Sequence, residues 1–541
     1  MICKFLRTSI FSFVFLLIVF PSSAQKDWTK IKPEKTEKTE IKLQKSNSKQ
    51  IRIKYEFNAY AKKRVNTSKG KAVKLSIPEC AKMQKKGAPE LPKISKSVII
   101  PNKSEMQVKV IRSNYVELDN LNIAPSKGIM TRDKSPSDYP WVYGQEYQKD
   151  AFFPSKLVKI EEPYLIRDQR GQTVKLYPVQ YNPVTKKTRI YTDVTLEITP
   201  SGKKGVNALE QKNIPGKDSK TFDRVYKEHF INYSQENAKY SELPEDGNQM
   251  LIVCYSDFMD EMQPFIDWKE SIGYNVEIVD YSTIGSSTSL KNYVEDYYSN
   301  NGLDFLLLVG DHPQVPSSST SAGDSDNNYG YVSGNDHYLD IFVGRFSAES
   351  ASEVTTQVER TISYERDVNS SASFIEKGVG IASNEGGSGG DDGEDDETHM
   401  NNIENDLENY GYSSIDRIYQ DGGSASQLTS ALNAGRGIIN YVGHGSSTSW
   451  ASMTYTNSDV NSLENTGKLP FIFSVACVNG DFTSTTCFAE TWLRANNNQE
   501  PTGAIAFCGS TINQSWASPM CAQDKINDLL VTNEWLRYGG V

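Results

Sequence analysis

The sequence predicts two domains of different class: an all-β domain, then an α/β domain built on a doubly wound, mostly parallel sheet. Three observations carry this. Hydrophobic periodicity changes midway along the chain, net charge changes sign at the same place, and a polar stretch separates the two regimes. With 541 residues there is enough chain for a sizeable core in each.

The first residues have the layout of an export signal over 1–24. Lys4 and Arg7 give a positive start, an apolar run follows from Ile10 to Phe20, and Ser22 and Ala24 stand where a signal peptidase needs small residues. That run is too short to span a bilayer comfortably, and no later one is long enough. A secreted or cell-surface protein with no membrane span is expected. From Gln25 to about Gln50 the chain is rich in Lys, Glu, Thr and Ser, a flexible lead-in. Between Ile51 and Pro200, short runs such as IRIKYEFN, VKLYPVQY and TRIYTDVTLEIT alternate apolar and polar residues, broken by turns such as Tyr181-Asn182-Pro183. Period two with frequent turns predicts strands. Ser201 to Asp246 is polar, apart from an aromatic-basic piece around Phe222–Phe230.

The second half changes style. MLIVCY (250–255), NVEIVDY (275–281), FLLLVGD (305–311), VGIAS (379–383), GIINYVG (437–443), FIFSVAC (471–477) and GAIAFCG (503–509) are continuous apolar runs. Parallel strands covered on both faces look like this. Helices are predicted at 258–272, 288–300, 350–367, 397–410, 425–434 and 486–496, and strand–helix alternation gives the doubly wound sheet. At Gly540-Val541 the chain still reads as folded core, so a C-terminally truncated domain is expected.

Residues 1–239 hold 46 Lys+Arg against 24 Asp+Glu, a net of +22, and residues 240–541 hold 12 against 44, a net of −32. A basic half can signal nucleic acid. The simpler partner is the acidic half beside it, and no nucleic acid is expected. No C-x-x-C knuckle and no Gly-rich phosphate loop is present.

In open α/β sheets, functional groups gather beyond the C-terminal ends of strands. GIINYVG runs into His444-Gly445, and FIFSVA runs into Cys477. A thiol and an imidazole meeting there are equipped for nucleophilic catalysis. The imidazole raises the thiolate fraction and later returns a proton to a leaving amine. The main-chain N–H groups of Gly445 and Cys477 are candidates for an oxyanion hole. A cysteine on an apolar strand is equally a packing residue, and the residues alone leave both readings open.

NYVGHGSSTSW (440–450), FIFSVACVNGDF (471–482), CFAETWLRA (487–495) and STINQSWASPM (510–520) closely resemble the gingipains, secreted cysteine peptidases with a caspase-like fold. The likeness continues through LLLVGDH (306–312), GNDHY (334–338), FVGRFSAES (342–350) and IASNEGG (381–387), in the family's order and spacing. The β-rich first half is similar to the family's propeptide. The resemblance implies a proenzyme: signal 1–24, propeptide 25–239 and peptidase domain 240–541. It implies Cys477 as nucleophile, His444 as general base and Glu385 as the carboxylate orienting the imidazole, which would fix its tautomer.

It also implies a pocket for the substrate's basic side chain. Asp396, in the acidic run Asp391–Glu397, would take a guanidinium bidentately, with neighbouring Asp395 as the fallback. Trp516 and Met520 would wall the pocket, and Val442 and Val475 would line it. SWASPM favours arginine over lysine before the cleaved bond. Val442, however, stands where an arginine-specific relative carries threonine, and Lys239-Tyr240 lies where the family's prosegment is severed. Calcium, in a structural role, is implied through Asp311, Asp336, Tyr338, Asp340, Glu394 and His399, with the carbonyl of Ser333. Oxygen donors suit a hard cation, a histidine less so. The expected partners are protein or peptide substrates with Arg or Lys before the cleaved bond, and the chain's own propeptide as inhibitor. Three rivals are an inactive cell-surface binding module, a transpeptidase, and a calcium-binding structural protein in which Cys477 only packs. His229, His312 and His337 receive no role, and Cys254, Cys487, Cys508 and Cys521 read as buried thiols.

Overall fold

The computed structural model describes residues 27–210, 219–233, 247–320, 323–368, 372–387, 389–483 and 485–532. The export signal, Lys239-Tyr240 and Gly540-Val541 lie outside them.

The first half is all-β. In β1 (Gln50–Glu56) Ile51, Ile53 and Tyr55 are buried while Arg52 and Lys54 stay half-buried on the opposite face, the outcome of period two. The other main strands are β2 (Pro92–Ile99), β3 (Ser104–Leu118), β4 (Gln169–Leu176) and β5 (Lys187–Lys204). Antiparallel β5 pairs with β1 and β3 in one sheet, and β4 pairs with β2 in another. A single apolar core, including Ile53, Val98, Val174 and Leu196, joins the two sheets. The aromatic-basic piece is a helix, α1 (Lys220–His229). Phe222, Tyr226 and Phe230 recur every four residues on one face and bury against Tyr164 and Ile166.

The second half carries two parallel sheets. The first has the order β7-β6-β8-β9, from β6 (Gln249–Cys254), β7 (Asn275–Asp280), β8 (Phe305–Val309) and β9 (Phe342–Phe346). The second has the order β11-β10-β12-β13-β14, from β10 (Lys377–Ala382), β11 (Ser414–Arg417), β12 (Ile438–Val442), β13 (Phe471–Val475) and β14 (Ala506–Cys508). Helices α2 (Gln263–Ser271), α3 (Ser287–Asn301), α4 (Ala351–Asp367), α5 (Asp396–Tyr410), α6 (Ala425–Ala434), α7 (Asn457–Asn461), α8 (Phe488–Arg494) and α9 (Ala517–Leu530) lie between or after the strands. The one-turn α7 and three further elements, β9, β11 and α9, escaped the sequence pattern. β9 has no fully buried residue and β11 is a short polar strand at a sheet edge. In α9 the inward face is partly polar: Gln523 and Asn527 are buried and hydrogen-bond Asn440. Of the thiols expected inside, Cys254 and Cys487 are buried, but Cys508 and Cys521 reach the surface. No helix among the described residues is long and apolar enough to cross a membrane.

Candidate active site

Three neighbouring strands of the second sheet end side by side. Ala382 of β10 is in register with Val442 of β12, which is in register with Val475 of β13. The winding direction reverses between β10 and β12, the place where open α/β sheets hold their ligands. Glu385, His444 and Cys477 follow these strands within three residues. His444 and Cys477 thus leave adjacent parallel strands at the same height, where strand spacing is about 4.8 Å.

Local sequence closes the remaining gap. A Cβ on Gly445 would stand 2.7 Å from the carbonyl oxygen of Cys477 and 2.8 Å from Ala476 Cβ, so only glycine allows the two loops this approach. Asn479 ties them: its amide donates to the carbonyls of Ser446 (2.6 Å) and Ser449 (3.0 Å), and its oxygen accepts from Ser474 Oγ at 2.9 Å. Val478, directly after Cys477, has φ +49°, which a β-branched residue rarely adopts. Strain of this kind costs about 1–3 kcal/mol and gathers at functional turns. Here it turns the chain sharply just past the thiol.

His444 Nε2 lies 3.2 Å from Glu385 Oε2. The main chain of His444 is fixed on both sides. Its N–H donates to Ser452 Oγ at 3.0 Å, and its carbonyl accepts from Ala451 N–H at 2.9 Å. The Trp516 ring stands perpendicular to the imidazole with centroids 6.0 Å apart. Cys477 is buried, and burial pushes its thiol up. Main-chain hydrogen bonds at Gln514 and Arg132 and the Arg132 guanidinium pull the other way, while Asp133 adds to the rise.

Arg132 comes from the β-domain, and it fills the pocket. Its guanidinium makes a bidentate pair with Asp396, Nη1 to Oδ2 at 2.9 Å and Nη2 to Oδ1 at 3.0 Å, with both side chains 0% exposed. The Trp516 ring centroid lies 4.2 Å from the guanidinium carbon, a buried cation–π contact. The main chain beside it runs antiparallel to 514–516: Arg132 N–H donates to Gln514 O at 2.7 Å and Trp516 N–H to Met130 O at 2.9 Å. Met520, Val442 and Val475 form one buried apolar cluster with Ala382 and Met400. Asp396 is the first residue of α5, where the helix dipole favours an anion. It also accepts from Ser383 Oγ at 2.7 Å, and its N–H donates to Glu385 O at 3.0 Å, linking the Arg132 pocket to the Glu385 loop. The fallback residue Asp395 does something else: it caps α5 by accepting from Thr398 N–H at 2.7 Å.

The seven residues expected at calcium fall in three places. Asp336 and Asp340 share one loop with Ser333 and Tyr338. Asp336 accepts from Leu165 N–H at 2.8 Å and Tyr338 N–H at 3.1 Å; Asp340 accepts from Arg167 N–H at 2.6 Å and Ser333 N–H at 2.7 Å. Burial raises the Asp340 carboxyl to about 7, and neighbouring Asp336 adds to the rise. Asp340 is buried and Asp336 half-buried, and an oxygen-donor pair of this kind fits a hard cation. Asp311 is elsewhere, 3.1 Å from the Arg494 guanidinium. His399 lies 3.3 Å from Asp524 and 3.8 Å from Glu394. Burial opposes charge on His399, yet those carboxylates hold it above its ordinary value, which favours imidazolium over a metal ligand. Among the described residues no group of three or more His, Cys, Asp or Glu is arranged to hold a metal ion.

Sequence reasoning missed Arg132, Ser383 and Gln514. Arg132 sits in an irregular stretch among many basic residues, and nothing local marks it. Ser383 had one signal, its place as the last residue of a predicted strand.

The peptidase family C25 model matches residues 243–538, and the C25 propeptide model matches residues 33–240. The chain is 40% identical over 488 residues to gingipain R1 of Porphyromonas gingivalis, covering 88% of this chain and 49% of that protein. It is 39% identical to gingipain R2 of the same organism over 88% of this chain and 66% of that one. It thus spans about half of gingipain R1 and just under two thirds of gingipain R2. A solved complex of Porphyromonas gingivalis RgpB pro- and mature domains is similar at 40% identity and TM-score 0.52, over 52% of this chain and 69% of that one. The crystal structure of the Arg-specific cysteine proteinase gingipain R is similar at 38% identity and TM-score 0.53, over 56% and 72%. With the two models laid across its β-domain and its α/β domain, the chain belongs to peptidase family C25.

Proposed function

We propose that the chain is the zymogen of an exported cysteine endopeptidase that hydrolyses peptide bonds after arginine. One observation carries the specificity: an arginine of the chain itself already occupies a closed pocket, forked onto Asp396 and stacked on Trp516. A planar fork matches a carboxylate far better than an ammonium does, so arginine is preferred to lysine. The apolar Val442 in the pocket leaves Asp396 and Trp516 to do the recognition.

The chemistry follows from the three strand ends. Cys477 Sγ, as thiolate, attacks the carbonyl carbon of the arginine residue. The tetrahedral oxyanion is met by the N–H groups of Cys477 and Gly445. His444 then gives its proton to the leaving amine, and the C–N bond breaks to leave a thioester. Water, deprotonated by His444, releases the acid and restores the thiol. Glu385 beside Nε2 orients the imidazole and steadies its charged form.

The β-domain inhibits by presenting Arg132 as a substrate would, while Lys63 Nζ donates to Gly393 O at 3.1 Å in the acidic loop beside the pocket. Calcium, when bound, would brace the loop 333–340 through Asp336, Asp340, Tyr338 and Ser333, away from the chemistry. Export would remove residues 1–24, and N-terminal sequencing of the exported chain checks that. Cleavage of matched peptides ending in Arg, Lys or a neutral residue tests the whole reading. Turnover confined to basic peptides, highest for Arg and abolished in Cys477→Ala, is expected. Equal turnover of neutral peptides, or none from processed wild type, would overturn it.

A further inference from the structure

A second arginine crosses between the halves, far from the catalytic strand ends in the fold. Arg167 sits at the turn joining Tyr164–Ile166 to β4, a two-residue hairpin in which Ile166 pairs with Gln169. Its φ is +50°, a conformation such turns ordinarily give to glycine or asparagine. An arginine holds it at a cost, so its side chain gains something in return. That side chain is 2% exposed and enters the first sheet of the peptidase domain at the N-terminal edge, where β8 and β9 begin. Nη1 donates to Leu303 O at 2.6 Å and to Asp340 O at 3.0 Å, and Nη2 lies 3.4 Å from Asp304 Oδ1. The guanidinium carbon is 5.4 Å from the Tyr298 ring centroid and 4.6 Å from that of Phe222 on α1.

Asp304 is held by the peptidase domain's own strands as well as by Arg167. Asp304 Oδ2 accepts from Gln249 N–H at 2.9 Å, and the Asp304 carbonyl accepts from Phe342 N–H at 2.8 Å, so its main chain and carboxylate are pinned by β6 and β9. Two carbonyls, one carboxylate and an aromatic ring converge on the guanidinium, a set that a forked donor meets better than a point charge does. Of these contacts, all but the one with Phe222 come from the peptidase domain.

We infer that this socket is a second guanidinium-binding site of the peptidase domain, separate from the Asp396 pocket, filled in this chain by Arg167. It anchors the β-domain independently of the active site. Once the β-domain leaves, the socket is open to an arginine side chain presented on a turn of another protein. This last step rests on the zymogen reading; the socket itself does not.

The test uses the full chain carrying Cys477→Ala, which stops self-processing, and reads thermal unfolding rather than activity. Both sockets are filled in that parent. Arg167→Ala empties only the second, and methylguanidinium is the probe. The probe is expected to restore at least half of the midpoint lost in Arg167→Ala, to leave the parent unmoved, and to do nothing once Asp304→Asn is added. An equal response of parent and variant, or no response in either, would overturn the inference. Arg167→Lys keeps stem and charge and guards against a variant that fails to fold. Its midpoint is expected below the parent's, because one ammonium cannot reach both carbonyls and Asp304. A lysine chain as stable as the parent would mean charge alone suffices, and guanidinium recognition would be wrong.

Discussion

Replacing Arg132 by alanine in the full chain should expose the active site without touching any residue of the peptidase domain. The Arg132–Asp396 pair is wholly buried, so removing the guanidinium leaves a carboxylate without its partner in the closed state. Breaking a buried pair in this way costs roughly 3–5 kcal/mol. Opening lets Asp396 regain water, so the lower figure is the relevant one. At 1.4 kcal/mol per factor of ten, about 3 kcal/mol raises the open population roughly 100-fold. Lysine at 132 keeps the charge but loses the fork and much of the stacking on Trp516. A loss of about 1–1.5 kcal/mol predicts roughly a 10-fold rise. The assay is alkylation by iodoacetamide, small and neutral, so that it needs no basic pocket. Modification is followed at the Cys477 peptide of intact chain, because Cys508 and Cys521 are also at the surface. Equal Cys477 alkylation rates in wild type, Arg132→Lys and Arg132→Ala would refute substrate-like occupation as the basis of latency.

Glu385→Gln in the processed enzyme should lower kcat about 10- to 100-fold with little change in KM, because the imidazolium loses its charged neighbour while the pocket is intact; a pure KM effect would show Glu385 to be a binding residue. Chelation should lower the unfolding midpoint, and Asp336→Asn should shrink that decrement; an unchanged decrement would place the calcium elsewhere. Glu404, 0% exposed, is raised from 4.5 to about 7 by burial, against Arg417 and Tyr419. The folded chain therefore keeps a proton that the unfolded chain releases, and stability falls as pH rises from about 4.5 to about 7, by up to about 3 kcal/mol from this group. Glu404→Gln should flatten the wild-type slope of denaturant midpoint against pH in that window, and an unchanged slope would refute it.

Much of the fold was legible because burial writes itself into periodicity. β1 alternates since one face meets the core, whereas β12 and β13, Asn440 and Ser474 apart, are apolar and lie buried along almost their whole length. Their C-terminal ends point to His444 and Cys477 in the sequence itself. Glu385 lies in a loop that has no period, so only the resemblance pointed to it. α9 hid its inward face because Gln523 and Asn527 are amides buried by hydrogen bonding, which apolar patterning cannot register. Arg132 and Arg167 were illegible for a different reason. Each owes its burial to residues more than 100 positions away, and such contacts leave no trace in local spacing.

The charge asymmetry was plain in the sequence, but what it does depends on where the charges end up. A +22 half facing a −32 half attracts through a field that salt screens within about 8–10 Å. Arg132–Asp396 and Arg167–Asp304 are both sealed from water, and salt does not reach them. The two contributions therefore separate by experiment. Cys477 alkylation in the intact chain should quicken only modestly with salt in wild type, where the buried pairs still hold the β-domain. In Arg132→Ala, with one anchor gone and the field left to share the load, the salt slope should steepen. A wild type that opens as steeply with salt as the variant would mean that the field, and not the buried arginines, keeps the thiol covered.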